Sequence, residues 1–347
     1  MKTMLAAVLH EFNDLRLEPV PVPVPKNSGE VLVKVKSCGV CATDVKAITG
    51  RRRNVKFPSI QGHEAAGVVA ATGPGVLHVK EGDEVIIQPL GSCGFCRPCR
   101  NGFTHHCADA FVIGGDGPEN VWNGAFAEFV LTTESTLYPK PAAISWDAAA
   151  VTEPLAGAWK GVIAHSEMRV ADDVVVIGVG SIGLLCLMVA KVAGAARLIA
   201  VDTSRHALEQ ALRLGATHAV NPGDGDAKKR IYEILPDGPD LVVEAAGPID
   251  AVRLMVDLRR RGTRWNVFGI TTHETFELDG GLTHFLEGRQ DASFGTTTVA
   301  MAKSIRLMET DLINTEAIIS HRFPLAKIHE ALAVMETPEH NKIIIHP

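Results

Sequence analysis

The chain has 347 residues, 46% of them hydrophobic and 21% charged, with a formal net charge of −6. That length exceeds one ordinary domain and sets about two as the expectation. The acidic balance and an aromatic content of 5% argue against nucleic acid and anionic membranes as partners, because basic surface and stacking platforms are both lacking.

No stretch reads as a targeting or membrane-spanning segment, so a cytoplasmic protein is expected. The apolar opening Met4 to Leu9 is too short for a signal-peptide core. The longest uncharged run, Val174 to Ala190, is interrupted by Gly178, Gly180 and Gly183. Seven cysteines favour metal binding over a disulfide framework.

Residues 1–90 read as β-rich. Val31, Val33 and Val35 alternate with Leu32, Lys34 and Lys36, the period of a half-buried strand. Ala65 to Ala71 and Val85 to Ile87 add short strands, and Pro19, Pro21, Pro23 and Pro25 force an extended segment. Short strands with frequent turns predict an antiparallel, barrel-like domain. Within it, Cys41-Ala42-Thr43-Asp44 and Gly62-His63-Glu64 offer a thiolate, an imidazole and a carboxylate. Those donors suit a zinc ion that keeps one position open. A buried cysteine beside a surface His-Glu pair is the alternative.

Residues 91–110 form a lobe carrying Cys93, Cys96, Cys99 and Cys107. Four soft donors within reach of one tetrahedral ion predict a closed, structural zinc site, with an iron–sulfur cluster or unligated thiols as alternatives. From about residue 145 alanines favour helix, with an interruption expected at Pro154. A βαβ unit follows: the apolar strand Val174 to Ile177, the turn Gly178-Val179-Gly180-Ser181-Ile182-Gly183, the apolar helix Leu184 to Ala193 ended at Gly194, and the strand Leu198 to Asp202. The first glycine permits the turn, the second lets backbone approach a pyrophosphate, and the third packs helix on strand. Asp202 would accept from both ribose hydroxyls and repel a 2′-phosphate, which points to NAD. Strands at Leu241 to Glu244 and Arg264 to Phe268 extend a parallel doubly wound sheet. A helix from Met301 to Glu309, a second helix ending at Met335 and a strand from Lys342 to Ile345 complete the chain.

These motifs, with Glu153-Pro154-Leu155 and His321-Arg322-Phe323-Pro324, resemble the zinc-dependent medium-chain dehydrogenases over essentially the full length. The similarity is greatest to their sorbitol (polyol) and threonine dehydrogenase branch. The resemblance implies an α/β protein with a GroES-like β-rich catalytic domain at 1–152 and 289–347, a Rossmann domain at 153–288, and an active site between them. It implies one catalytic and one structural Zn2+ per chain. Cys41, His63 and Glu64 match the catalytic ligands, Glu153 an acid contacting zinc directly or through water, and Thr43 the hydroxyl that bonds the substrate oxygen. Gly178, Gly180, Ile182, Gly183, Asp202 and Arg205 would hold NAD, with Arg205 stacking on adenine or admitting some NADP. The implied reaction takes a hydride from a small-molecule secondary alcohol, polyol or sugar-derived, in a homo-oligomeric enzyme, a tetramer or dimer.

Three departures from the branch stand out. Lys46 replaces the histidine that ends the family's proton relay, and Ala207 replaces an adenosine-side arginine. Lys46, Arg51, Arg52, Arg53 and Lys56 place five cations between two active-site motifs. They read as a solvated basic loop, an intersubunit or pyrophosphate contact, or a site for an anionic alcohol. A threonine, sugar-acid or sulfonated-alcohol dehydrogenase, or a zinc-containing binding protein without catalysis, are the competing readings.

Overall fold

The computed structural model describes residues 2–52, 54–116, 121–271, 275–337 and 339–347. It divides into two compact units, Met1–Glu153 with Gly295–Pro347, and Pro154–Phe294. Among the described residues no helix is long and apolar enough to cross a membrane.

The first unit is β-rich. Its main sheet orders the strands Leu137–Pro139, Glu84–Ile87, Glu64–Thr72, Glu30–Val40, Lys342–His346 and Ile319–Pro324, and Phe129–Thr133 also pairs with Glu30–Val40. The central strand Glu30–Val40 therefore serves three neighbours, and it is buried almost throughout; only Lys34 and Lys36 keep the exposed half of the expected alternation. Val31, Val33, Val35, Val69, Ile87, Val130 and Ile343 fill the core beneath it. Burying such side chains contributes roughly 1.5–3 kcal/mol each. Pro19 and Pro21 close the edge strand Asp14–Pro21 of a second, three-stranded sheet, and Pro23 and Pro25 follow it outside any strand. An edge tolerates proline because no inner ladder donor is lost.

The second unit holds a six-stranded parallel sheet ordered His218–Val220, Arg197–Val201, Asp173–Ile177, Leu241–Glu244, Arg264–Val267 and Arg289–Ala292. Helices connect parallel strands, so the inner strands read as continuous apolar runs, and Asp173–Ile177 is buried at every position. The uncharged run Val174 to Ala190 resolves into that strand, a turn and the helix Ser181–Val192. The sheet's last strand carries the unit to Phe294, past the boundary expected at 288. That strand lacks the apolar run that marks its neighbours.

One local expectation is corrected. The break near 150 falls at Val151, between the helices Trp146–Ala150 and Thr152–Trp159. Pro154 lies within the first turn of the second helix, where no intrahelical donor is needed from it.

Candidate metal centre and nucleotide site

Cys41 caps the helix Ala42–Ile48 directly after the central strand. The buried Asp44 carboxylate organises this corner. Its Oδ2 accepts from the Cys41 backbone N–H at 2.9 Å, and its Oδ1 accepts from the Gly62 N–H at 3.1 Å and lies 3.2 Å from His63 Nδ1. One side chain thus fixes the segments bearing both donors. Gly62 has φ +93°, and a Cβ there would lie 2.7 Å from the Phe126 ring. Gly39 faces Glu64 across the ladder, where a Cβ would sit 2.1 Å from Glu64 Oε2. Only glycine leaves that carboxylate room.

Donor atoms of Cys41, His63 and Glu64 lie within 4.8 Å of one another. With Nδ1 directed at Asp44, the Nε2 of His63 faces the other donors, and it lies 3.4 Å from Thr43 Oγ1. Burial opposes charge on His63, but the Asp44 carboxylate outweighs it and raises its pKa well above the ordinary imidazole value. Sulfur, nitrogen and oxygen donors in one partly accessible cluster fit a zinc ion with an open position. Glu64 has a second partner: Lys342 Nζ donates to its Oε1 at 2.8 Å and Oε2 at 2.7 Å, and to the Val40 carbonyl at 3.1 Å. Both side chains are buried. Burial pushes the Glu153 carboxyl up to about 7, with the neighbouring Glu64 charge adding to the rise and His63 opposing it.

In the cysteine lobe, the sulfurs of Cys93, Cys96, Cys99 and Cys107 also lie within 4.8 Å of one another. The Cys96–Cys99 and Cys93–Cys107 sulfurs are 3.4 and 3.5 Å apart, with no disulfide. Zinc–sulfur bonds of about 2.3 Å place tetrahedral sulfurs roughly 3.8 Å apart, so the cage is close to the size the ion requires. Backbone N–H groups of Cys96 and Phe95 pull the Cys93 thiol down to about 7. The pull is confined to Cys93, since burial pushes the Cys107 thiol up to about 12.

The glycine turn separates its three glycines by geometry. Gly178 has φ +81°, and a Cβ there would meet Ala246 at 2.6 Å; at Gly183 it would lie 1.8 Å from the Gly178 carbonyl oxygen. At Gly180, the N-cap of Ser181–Val192, a Cβ would project into open space. Fold demands the outer two glycines, while the middle one leaves a gap at a helix N-terminus, as an approaching pyrophosphate requires. Ile182 follows in the helix's first turn. Asp202 Oδ2 accepts from the Val179 N–H and its Oδ1 from the Ser204 N–H, both at 2.8 Å. This aims the acid from the end of the second strand at the turn. Arg205 reaches away to Asp224 at 2.7 Å.

Comparisons with known proteins agree with this arrangement. Residues 27–142 match the alcohol dehydrogenase GroES-like domain and residues 181–310 the zinc-binding dehydrogenase domain. The chain is 32% identical over 335 residues to L-threonine 3-dehydrogenase of Bacillus licheniformis, covering 94% of each protein. It belongs to the zinc-dependent alcohol dehydrogenase family. Sorbitol dehydrogenase of Bacillus subtilis is 29% identical, with 100% of this chain and 98% of that one covered. A crystal structure of a candidate zinc-binding dehydrogenase from Sinorhizobium meliloti 1021, bound to NADP, superimposes with a TM-score of 0.93 over the whole of both chains at 28% identity. The family's medium-chain architecture, a GroES-like domain with a Rossmann-type domain, is that expected from the motifs.

Within this zinc-dependent dehydrogenase, sequence reasoning missed Lys342 and the full part of Asp44. Lys342 opens the final strand ahead of three buried isoleucines, and a cation at the head of a buried strand was the available signal. The loop cations divide: Lys46 and Arg51 line one groove, Arg52 and Lys56 a small crevice with Ser59 and Gln61, and Arg53 lies outside the described residues.

Proposed function

We propose that this dehydrogenase oxidises a small secondary alcohol to the ketone with NAD, at a zinc site made by Cys41, His63 and Glu64, while Cys93, Cys96, Cys99 and Cys107 hold a structural zinc. The observation that carries the reading is the mutual approach of the three unlike donors within 4.8 Å, with the Thr43 hydroxyl 3.4 Å from His63 Nε2. A zinc ion held there would supply Lewis acidity that lowers the alcohol's pKa toward neutrality, and NAD would supply the hydride acceptor.

The chain's own residues do the rest. Asp44 holds His63 by Nδ1, so that Nε2 is the nitrogen offered to the metal. Lys342 neutralises Glu64 from behind and limits the negative charge at the centre. Thr43 accepts the alcohol proton and passes it outward. Glu153, held near neutrality in pKa, can take a proton or offer a carboxylate close to His63 and Glu64. Asp202 favours NAD over NADP by accepting from the ribose hydroxyls and repelling a 2′-phosphate. The threonine and sorbitol dehydrogenase relatives support a hydroxylated or charged carbon chain as substrate.

A panel of polyols, amino alcohols and sugar acids, read by NADH formation, tests this. Wild-type enzyme should oxidise some of them, and Cys41→Ser or His63→Ala should abolish turnover while leaving NADH binding intact. Full turnover by metal-free Cys41→Ser protein would sink the reading.

A further inference from the structure

In the parallel unit, Asp202 and Asn221 leave the carboxyl ends of two neighbouring strands, Arg197–Val201 and His218–Val220. Ligands of such sheets bind in the crevice outside those ends. Asn221, almost wholly buried, ties the two exits together. Its Nδ2 donates to the Thr203 carbonyl at 3.0 Å, and its Oδ1 accepts from the Gly223 N–H at 2.7 Å. The Asp202 N–H adds a bond to the Val220 carbonyl at 3.2 Å. The turn Pro222–Asp224 is thereby fixed beside the segment that carries Asp202. Three residues after Asp202, Arg205 opens the helix Arg205–Leu214, and its Nη2 donates to Asp224 Oδ1 at 2.7 Å. The two side chains are 74% and 36% exposed. An ion pair so open to water contributes little to stability, so the fold does not explain why this guanidinium is held there.

Its position does explain it. The ribose 2′-hydroxyl that Asp202 would accept from is the point where NADP carries a phosphate. A guanidinium three residues from that acid suits two-point contact with such a phosphate, but Asp224 occupies it instead. We infer that Asp224 is a specificity residue for the cofactor: by holding Arg205 it denies a 2′-phosphate its cation. The inference rests on the reading of the glycine turn and Asp202 as a dinucleotide site, and it adds a second carboxylate to the discrimination that Asp202 begins. Asp202 acts on the ribose directly, whereas Asp224 acts through Arg205. Because the pair is exposed the latch is weak, and a single uncharged substitution releases it.

Fluorescence titration of the zinc-loaded full-length protein with NADH and with NADPH tests it through the ratio of the two Kd values. Wild type should favour NADH, and a preference for NADPH would refute the inference. Asp224→Asn should shift the ratio toward NADPH by about fivefold, the measure of one exposed ion pair. In an Arg205→Ala background the same substitution should leave the ratio unchanged, because no guanidinium remains to be released. An equal gain in both backgrounds would overturn the inference, since Asp224 would then act by its own repulsion alone. A ratio that moves toward NADH in Arg205→Ala by itself would overturn it too, because the arginine would be reaching the phosphate with Asp224 in place. Absence of NADH binding to wild type would reject the dinucleotide reading and the latch together. NADH binding with a ratio that Asp224→Asn does not move rejects the latch alone.

Discussion

Asp44, Glu64 and Lys342 show how a few buried charges set up the centre. Lys342 and Glu64 are separated by 278 positions, yet both are almost wholly buried and meet at 2.7 Å. Removing one partner leaves an uncompensated charge in a low-dielectric interior. Lys342→Met should therefore destabilise the protein by about 3–5 kcal/mol. In denaturant titration, the double variant Lys342→Met/Glu64→Gln should recover much of that loss. Equal stability of wild type and Lys342→Met would show the pair to be idle. Glu153 gives a pH signature. Its folded-state pKa of about 7 lies above the ordinary glutamate value of 4.5, so the folded state holds this proton more tightly than the unfolded state. Its contribution is fully present below about 4.5 and is lost as pH rises through about 7. Zinc-free protein should show a melting temperature falling across that window, and Glu153→Gln should flatten the fall. A slope unchanged in the variant would assign it to other groups. The donor set was legible because cysteine, histidine and glutamate sit in short motifs. The Lys342 contact was not, since a pairing across 278 residues is set by strand register alone.

Elements differ in how openly the chain declares them. The parallel strands were legible because burial on both faces demands unbroken apolar runs, whereas Arg289–Ala292, with a charge at either end of its first three residues, carried no such mark. Pro154 was misread as a breaker because a proline in the first turn of a helix looks, in sequence, like one that ends it. The glycine turn offers the sharpest division between folding and binding. Gly183→Ala would drive a methyl into a backbone carbonyl that cannot move without breaking the turn, so that protein should fail to fold or lose most of its stability. Gly180→Ala meets only open space and should fold normally, while its NADH affinity falls about tenfold or more as the methyl fills the phosphate approach. Circular dichroism and fluorescence titration of NADH read the two outcomes. Undiminished NADH binding by Gly180→Ala would remove the turn from the cofactor site.

At the scale of the whole molecule, two compact units carry two kinds of chemistry. The β-rich unit brings together the unlike metal donors and the four-cysteine cage, and the parallel unit presents a glycine turn with an acid at the end of its second strand. Class and family were legible in the joint occurrence of motifs, because each needs a particular local backbone. Substrate identity was not, because it depends on which side chains from distant parts of the chain the fold gathers around the centre. The central claim is that one metal cluster is open and catalytic and the other closed and structural. Metal analysis of purified protein alongside alcohol-dependent NADH formation tests it most directly. Wild type should carry about two zinc ions per chain, and Cys41→Ser about one, folded and inactive but still binding NADH. A Cys41→Ser protein that keeps both ions and full turnover would contradict the account.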